Sequence, residues 1–183
     1  MLAGNDPTLP DYELISTTLV SNSTTSTITF DLSSVNSKYK HLQIRSTLRT
    51  LSATTESDAY AIRFNGDSGS NYTWHFFGYT GTQGSINSGA AITQTYAWGM
   101  PIPGANFTSG VWGTYVTDIA DAFSSSKNKT LKTFCAYVGN TSRVYLNSAA
   151  WLSTSKVTSL TVTTNTGANF ASGSRISIYG LRG

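Results

Sequence analysis

The chain has 183 residues, of which 39% are hydrophobic and 12% aromatic, so it can bury a packed core and is not a disordered segment. Only 11% of the residues are charged, and the net charge of +3 comes mostly from a scarcity of acids. The basic residues are scattered, which argues against a nucleic-acid partner. No apolar run approaches the roughly 20 residues of a membrane span, and the first residues do not resemble a signal peptide.

The chain begins with an irregular segment and continues with short strand patterns. Residues 1–11 contain Gly4, Pro7 and Pro10 without periodicity, which predicts an N-terminal arm before a single domain at 12–183. Strands are predicted at 12–20 and 25–31. The clearest strand is 40–49, where apolar residues alternate with polar ones and Leu42, Ile44 and Leu48 face inward.

The stretch 58–79 is predicted to form a β-hairpin. Residues 59–64 and 72–79 have strand composition, and the connector 65–71 begins with Asn65-Gly66, which can supply the positive φ angles of a turn. Trp74, Phe76 and Phe77 give the return strand a large aromatic surface.

The rest of the chain repeats this pattern at intervals of 8–15 residues. Loops are predicted at 78–89 and 99–110, and strands at 90–98, 111–119, 131–138, 143–150, 157–164 and 175–181. About ten short strands bounded by Gly, Asn and Ser indicate an all-β fold. We predict an antiparallel two-sheet β-sandwich that is jelly-roll-like.

The sequence offers little material for catalysis or for metal binding. It has two histidines and nine carboxylates, and Cys135 falls in a predicted strand, where a buried, inert thiol is expected. Asp118 and Asp121 could pair as acid and base, but a strand end and a turn explain them better. Asp67 could bind Ca²⁺, but an Asx turn explains it better. No enzyme activity, cofactor or metal is therefore predicted.

Aromatic or apolar bulk occurs on both faces of several strands. Phe76 and Phe77 are adjacent, and Tyr179 follows Ile178, although neighbouring strand residues point to opposite faces. Either long loops or another subunit must cover the second face. With so few charges to hydrate that face, we expect a homo-oligomer, either a dimer or a trimer.

Four segments resemble a family of small structural proteins of tailed bacteriophages that is common in marine phages and cyanophages. The segments are YKHLQIRSTLR (39–49), IRFNGDSGSNYTWH (62–75), WLSTSKVTSLTV (151–162) and GANFASGSRISIYGLRG (167–183). The resemblance implies a virion protein without catalytic residues, made in the host cytoplasm and located on the particle surface. Its members include capsid decoration and tail fibre proteins.

Two functions follow from this resemblance. The first is a capsid decoration or cement protein that contacts the major capsid protein or other virion proteins, with contacts expected in the arm at Leu2, Asp6, Pro7, Leu9 and Pro10. The alternative is a tail fibre or adhesin domain that binds host-surface carbohydrate. Aromatic candidates for oligomer or glycan contacts are Tyr96, Trp98, Phe107 and Trp112. A glycoside hydrolase, with Asp118 and Asp121 or Glu56 and Asp58 as its carboxylates, ranks last.

Overall fold

The structure, a computed structural model, describes residues 12–35, 38–53, 58–81 and 85–183. These residues form twelve β-strands and no helix. In chain order the strands are β1 (Tyr12–Leu19), β2 (Thr27–Asp31), β3 (His41–Leu48), β4 (Asp58–Phe64), β5 (Tyr72–Thr80), β6 (Ser85–Gln94), β7 (Ala97–Ile102), β8 (Gly113–Ala120), β9 (Lys129–Tyr137), β10 (Arg143–Trp151), β11 (Ser159–Thr164) and β12 (Arg175–Leu181). The described part of the chain contains no helix that could cross a membrane.

The strands form two antiparallel sheets of unequal size. The larger sheet has the order β1-β12-β3-β8-β9-β10-β5-β6, and the smaller has the order β2-β11-β4-β7. When the hairpins β5–β6 and β9–β10 are set aside, the other strands form two four-stranded sheets in the order of a jelly roll. The predicted antiparallel sandwich is confirmed, with twelve strands where about ten were expected.

Alternation along the strands decides which side chains fill the core between the sheets. Leu42, Ile44 and Leu48 of β3 are buried, as predicted, and so is Ile178 of β12. Tyr179 points to the other side of β12 and is only half-buried. Each fully buried Leu or Ile contributes about 1.5–3 kcal/mol relative to an exposed position, so the core face outweighs local propensity in fixing the register.

The segment predicted to form a hairpin instead crosses between the sheets. β4 lies in the smaller sheet between β11 and β7, so it has no free edge to which β5 could add. β5 pairs with β10 and β6 in the larger sheet. Asn65 and Gly66 do have positive φ angles, of 54° and 69°. However, the Asn65 amide binds the carbonyl oxygen of Lys156 and the backbone N–H groups of Thr158 and Ser159, and this ties the turn to the chain beside β11.

Two predicted loops are largely strand. Of the glycine-rich stretch 78–89, residues 78–80 belong to β5 and residues 85–89 to β6, and residues 99–102 continue β7. Glycine in this hairpin makes room for aromatic rings, because a Cβ at Gly89 would lie 2.7 Å from Cε1 of Phe76. The glycines predict a loop in the sequence, but in the structure they allow close packing within a sheet.

The hairpin β5–β6 widens the larger sheet, and β7 packs across β5, β9 and β10. On this inner side Trp98 of β7 meets Trp74 and Phe76 of β5, with ring centroids 4.9 Å and 4.6 Å away. Phe76 also contacts the ring of Tyr145 at 5.5 Å. This aromatic cluster joins the edge of the smaller sheet to the added strands.

Candidate interaction surface

A row of apolar side chains runs across the outer face of the larger sheet, away from the core. Cross-strand pairing places Val116 opposite Phe134, Phe134 opposite Leu146, and Leu146 opposite Phe77. The next row contains Val144, Tyr79 and Ile86, again in direct opposition. We call these seven residues the outer stripe, and it spans β8, β9, β10, β5 and β6.

The outer stripe is solvent-exposed. Ile86 is 84% exposed, Phe77 58% and Phe134 50%. Since large apolar side chains offer about 150–250 Å² each, the stripe presents roughly 600 Å² of apolar surface, at the upper end for a monomer. Between its two rows lies a wholly apolar groove of about 420 Å³, lined by Phe77, Tyr79, Ile86, Phe134, Val144 and Leu146.

Polar groups flank the stripe along one side and at its β3 end. Asp118 and Lys132 form an exposed ion pair of 3.1 Å in the adjoining row of β8 and β9. Towards β1, the Arg45 guanidinium lies 5.1 Å from the Tyr12 ring centroid and 5.6 Å from that of Tyr179. Burial raises the pKa of the Tyr12 hydroxyl, and the Arg45 charge opposes that effect. The stripe therefore has an apolar centre and a charged rim, which is the anatomy of a protein interface.

The carboxylates considered for catalysis or for metal binding serve the structure. Asp118 pairs with Lys132, and Asp121 pairs with Lys127 at 2.6 Å in a turn where its own φ is +47°. The Asp67 carboxylate accepts hydrogen bonds from the Gly69 N–H at 2.8 Å and from the Asn71 amide, which is the predicted Asx turn. Within the described ranges, no three His, Cys, Asp or Glu side chains are grouped to hold a metal ion.

The four aromatic contact candidates lie at separate places in the fold. Phe107 is only 3% exposed and packs edge-on against the ring of Tyr137 at 5.4 Å, which leaves little of its surface for an oligomer or glycan contact. Its loop folds back onto the sandwich, which turns the ring inward. Tyr96, Trp98 and Trp112 are half-buried. The Arg63 guanidinium lies 6.0 Å from the ring centroid of Tyr96. Trp98 belongs to the aromatic cluster, and Trp112 lies beside Gly173.

Other residues singled out in the sequence also have structural positions. Cys135 is buried and unpaired, and burial raises the pKa of its thiol to about 12, as expected for an inert thiol. The arm candidates Leu2, Asp6, Pro7, Leu9 and Pro10 lie outside the described residues, as does Glu56.

Part of the outer stripe can be predicted from the sequence. Phe77 is predicted as bulk on the second face of its strand, because it follows Phe76. Phe134 and Leu146 are not predicted, although Phe134 stands next to Cys135 in the same way that Phe77 stands next to Phe76. Ile86 is not predicted, because the glycines around it indicate a loop.

Comparisons of the chain with protein-family models, with curated proteins and with solved structures gave no match. The functional assignment therefore depends on the surface that the chain itself presents.

Proposed function

We propose that the chain is a non-enzymatic structural protein of a bacteriophage virion, which coats or cements the particle through the outer stripe. The observation that carries this proposal is the row Val116, Phe134, Leu146 and Phe77, which is aligned across four strands. Leu146 is half-buried, and the other three residues are exposed. The resemblance to phage structural proteins supports the same assignment. The location is then the outer surface of the particle.

The size of the stripe fits attachment to a neighbouring virion protein. Covering about 600 Å² of apolar surface stabilises a complex by roughly 15 kcal/mol before the costs of association are subtracted. Those costs amount to about 4–15 kcal/mol, so one stripe alone supports a weak to moderate contact. Repetition of the contact over a particle surface, where many copies bind together, makes such a contact effective.

The arrangement of carboxylates also supports a structural function. Asp67, Asp118 and Asp121 each bind a donor from their own chain, at distances between 2.6 Å and 3.1 Å. Their hydrogen bonds hold a turn, a sheet surface and a strand end.

The test is retention on purified phage particles from which the protein has been removed. The Phe77→Asp/Phe134→Asp variant, altered only in the stripe, is compared with the Val138→Asp/Leu152→Asp variant. Val138 and Leu152 are also exposed, at 72% and 53%, but they lie outside the stripe. We expect the control to sediment with the particles as the unaltered chain does, and the stripe variant to remain in the supernatant. Equal retention of both variants would overturn the proposal.

The capsid contacts expected in the arm have their own test. A chain lacking residues 1–11 is expected to fold and to occupy fewer sites on the particle. Full occupancy by the shortened chain would assign attachment to the stripe alone.

The carbohydrate-binding alternative stays a prediction. The Trp98 ring contacts the rings of Trp74 and Phe76, which favours a packing role for this residue. Glycan binding by the purified chain that is lost in Trp98→Ala, without loss of folded structure, would favour the adhesin over the coat protein.

A further inference from the structure

We propose that β6 of one copy pairs antiparallel with β6 of a second copy, centred on Gly89, so that two chains share one continuous sheet. This inference deepens the proposed function and rests on it for its biological meaning, because it specifies how copies of the coat protein associate. The pairing itself depends on the free edge and the sequence of β6.

β6, a strand of ten residues, has one side that pairs with no other described strand. It is the last strand of the larger sheet, and within the described ranges it pairs only with β5. An open edge presents a row of free N–H and C=O groups, which is a template for another strand. Most β6 side chains are exposed, so a second strand can approach without displacing any described element.

The other sheet edges carry a charge or a proline that discourages pairing, and β6 carries neither. The edge strand β1 contains Glu13, β2 ends with Asp31, and β7 contains Pro101. Charges and proline on an edge strand are the usual means of preventing sheet-to-sheet association. β6 reads SINSGAAITQ, without a charge or a proline. Its bulge is formed by Ile92 and Thr93 opposite Thr73, near the end of the strand, and residues 85–91 pair regularly with β5.

The β6 sequence is complementary to itself when two copies run antiparallel about Gly89. In that register Ile86 of each copy lies opposite Ile92 of the other, and Ser88 lies opposite Ala90. Strand alternation places these four residues on the outer face, so paired residues share a face, as a continuous sheet requires. Shifting the register by two residues separates the isoleucines, so the centre at Gly89 is favoured.

The pairing covers the two most exposed large apolar side chains of the strand and enlarges the outer stripe. Ile86 and Ile92 are 84% and 72% exposed in the single chain. A two-fold axis perpendicular to the sheet brings the outer stripes of both copies onto one face, with Ile86 joining each stripe to the dimer contact. The dimer would thus offer a neighbouring virion protein about twice the apolar area of one chain.

The test is sedimentation velocity of the full chain over a range of concentrations, with three variants. Ile86→Lys/Ile92→Lys places like charges opposite each other at both ends of the contact, whereas Ile86→Lys/Ile92→Glu places opposite charges there. Val138→Lys is the control, because Val138 is as exposed as Ile92 but lies outside β6. Near-UV circular dichroism checks that each variant is folded.

We expect the unaltered chain and the control to form dimers. The double-lysine variant should raise the dimer dissociation constant at least about tenfold, and the lysine–glutamate variant should recover most of that loss. A monomeric unaltered chain, an undisturbed dimer of the double-lysine variant, or equal weakening by both double variants would each overturn the inference. A monomer that still attaches to particles through the stripe would leave the proposed function standing, and a dimer that fails to attach would overturn only that function.

Discussion

The Trp151 indole donates a hydrogen bond from Nε1 to Oδ2 of Asp67, with a distance of 2.7 Å between the two atoms. Trp151 ends β10 in the larger sheet, whereas Asp67 lies in the connector that leaves β4 in the smaller sheet. This hydrogen bond therefore links the larger sheet to the connector through which the chain leaves the smaller sheet. It also lowers the pKa of Asp67, with further contributions from Asn71 and the Gly69 N–H.

Replacing Asp67 by Ala should lower the free energy of unfolding by about 1–3 kcal/mol at pH 7, because hydrogen bonds to a charged acceptor are lost. The folded pKa lies below the unfolded value of about 3.9, so this stabilisation is complete above that pH and disappears as the pH falls through the folded value. The variant should thus lose less stability than the unaltered chain as the pH falls below about 4.

Urea unfolding at a series of pH values measures both effects. Asp118→Asn is the control, since its ion pair with Lys132 is exposed and contributes less than about 1 kcal/mol. If Asp67→Ala and the unaltered chain lost stability in parallel on acidification, the assignment of this effect to Asp67 would be wrong.

Tyr72 should make the fold sensitive to alkali. Its hydroxyl oxygen accepts a hydrogen bond from the Phe64 N–H at 3.0 Å, and burial raises its pKa to about 12. The folded pKa exceeds the unfolded value of about 10. The stability that the neutral Tyr72 hydroxyl contributes is therefore complete below pH 10 and is lost as the pH rises through about 12.

Tyr72→Phe should cost about 1–2 kcal/mol at pH 8, since the Phe64 N–H loses this acceptor. The same change should reduce the stability lost between pH 10 and pH 12, as measured by urea unfolding at each pH. Tyr79→Phe, on the exposed outer stripe, is expected to leave the stability at pH 8 unchanged. An alkaline loss in Tyr72→Phe as steep as that of the unaltered chain would contradict this account.

Arg49 holds the loop between β7 and β8. Its guanidinium donates hydrogen bonds of 2.7–3.2 Å to four backbone carbonyl oxygens, those of Ala105, Phe107, Thr108 and Val111. A lysine carries fewer donors and lacks the planar fork, so it cannot reach all four acceptors.

Arg49→Lys should increase amide hydrogen exchange in residues 104–111 by at least about tenfold while the sheets keep their protection. The control is Arg45→Lys, because Arg45 lies on the outer face against Tyr12 and Tyr179. Unchanged exchange in the loop would show that other contacts hold it.

Lys129 is a buried cation at the start of β9. Its ammonium group donates to the carbonyl oxygens of Ser124 at 2.9 Å and Lys127 at 2.7 Å, and burial lowers its pKa. Lys129→Met should reduce the free energy of unfolding by about 2 kcal/mol, because these carbonyls lose their donor. Lys127→Met, which breaks only the exposed pair with Asp121, should cost less than about 1 kcal/mol in the same chemical-denaturation measurement.

The sequence predicted the strands whose two faces differ in polarity. In β3 the alternation of Leu42, Ile44 and Leu48 with polar residues was sufficient, because one face meets the core and the other meets solvent. The same logic predicted β12. Phe77 was recognised as outward bulk for the related reason that it follows Phe76 in a strand.

Strand pairing is harder to predict from the sequence, because it depends on residues far apart in the chain. The turn at Asn65-Gly66 has the predicted φ angles, but β4 finds its neighbours in β11 and β7 and β5 finds its own in β10 and β6. Local turn chemistry cannot show that the Asn65 side chain binds the backbone near residue 158. The outer stripe arises from five strands in register, so only the assembled sheet reveals it.

A cryo-electron microscopy map of the intact phage particle tests the central claim most directly. The account predicts density for this sandwich on the particle surface, with Phe77, Phe134 and Leu146 buried against a neighbouring protein. A particle without this density, or a sandwich whose outer stripe faces solvent on the particle, would contradict it.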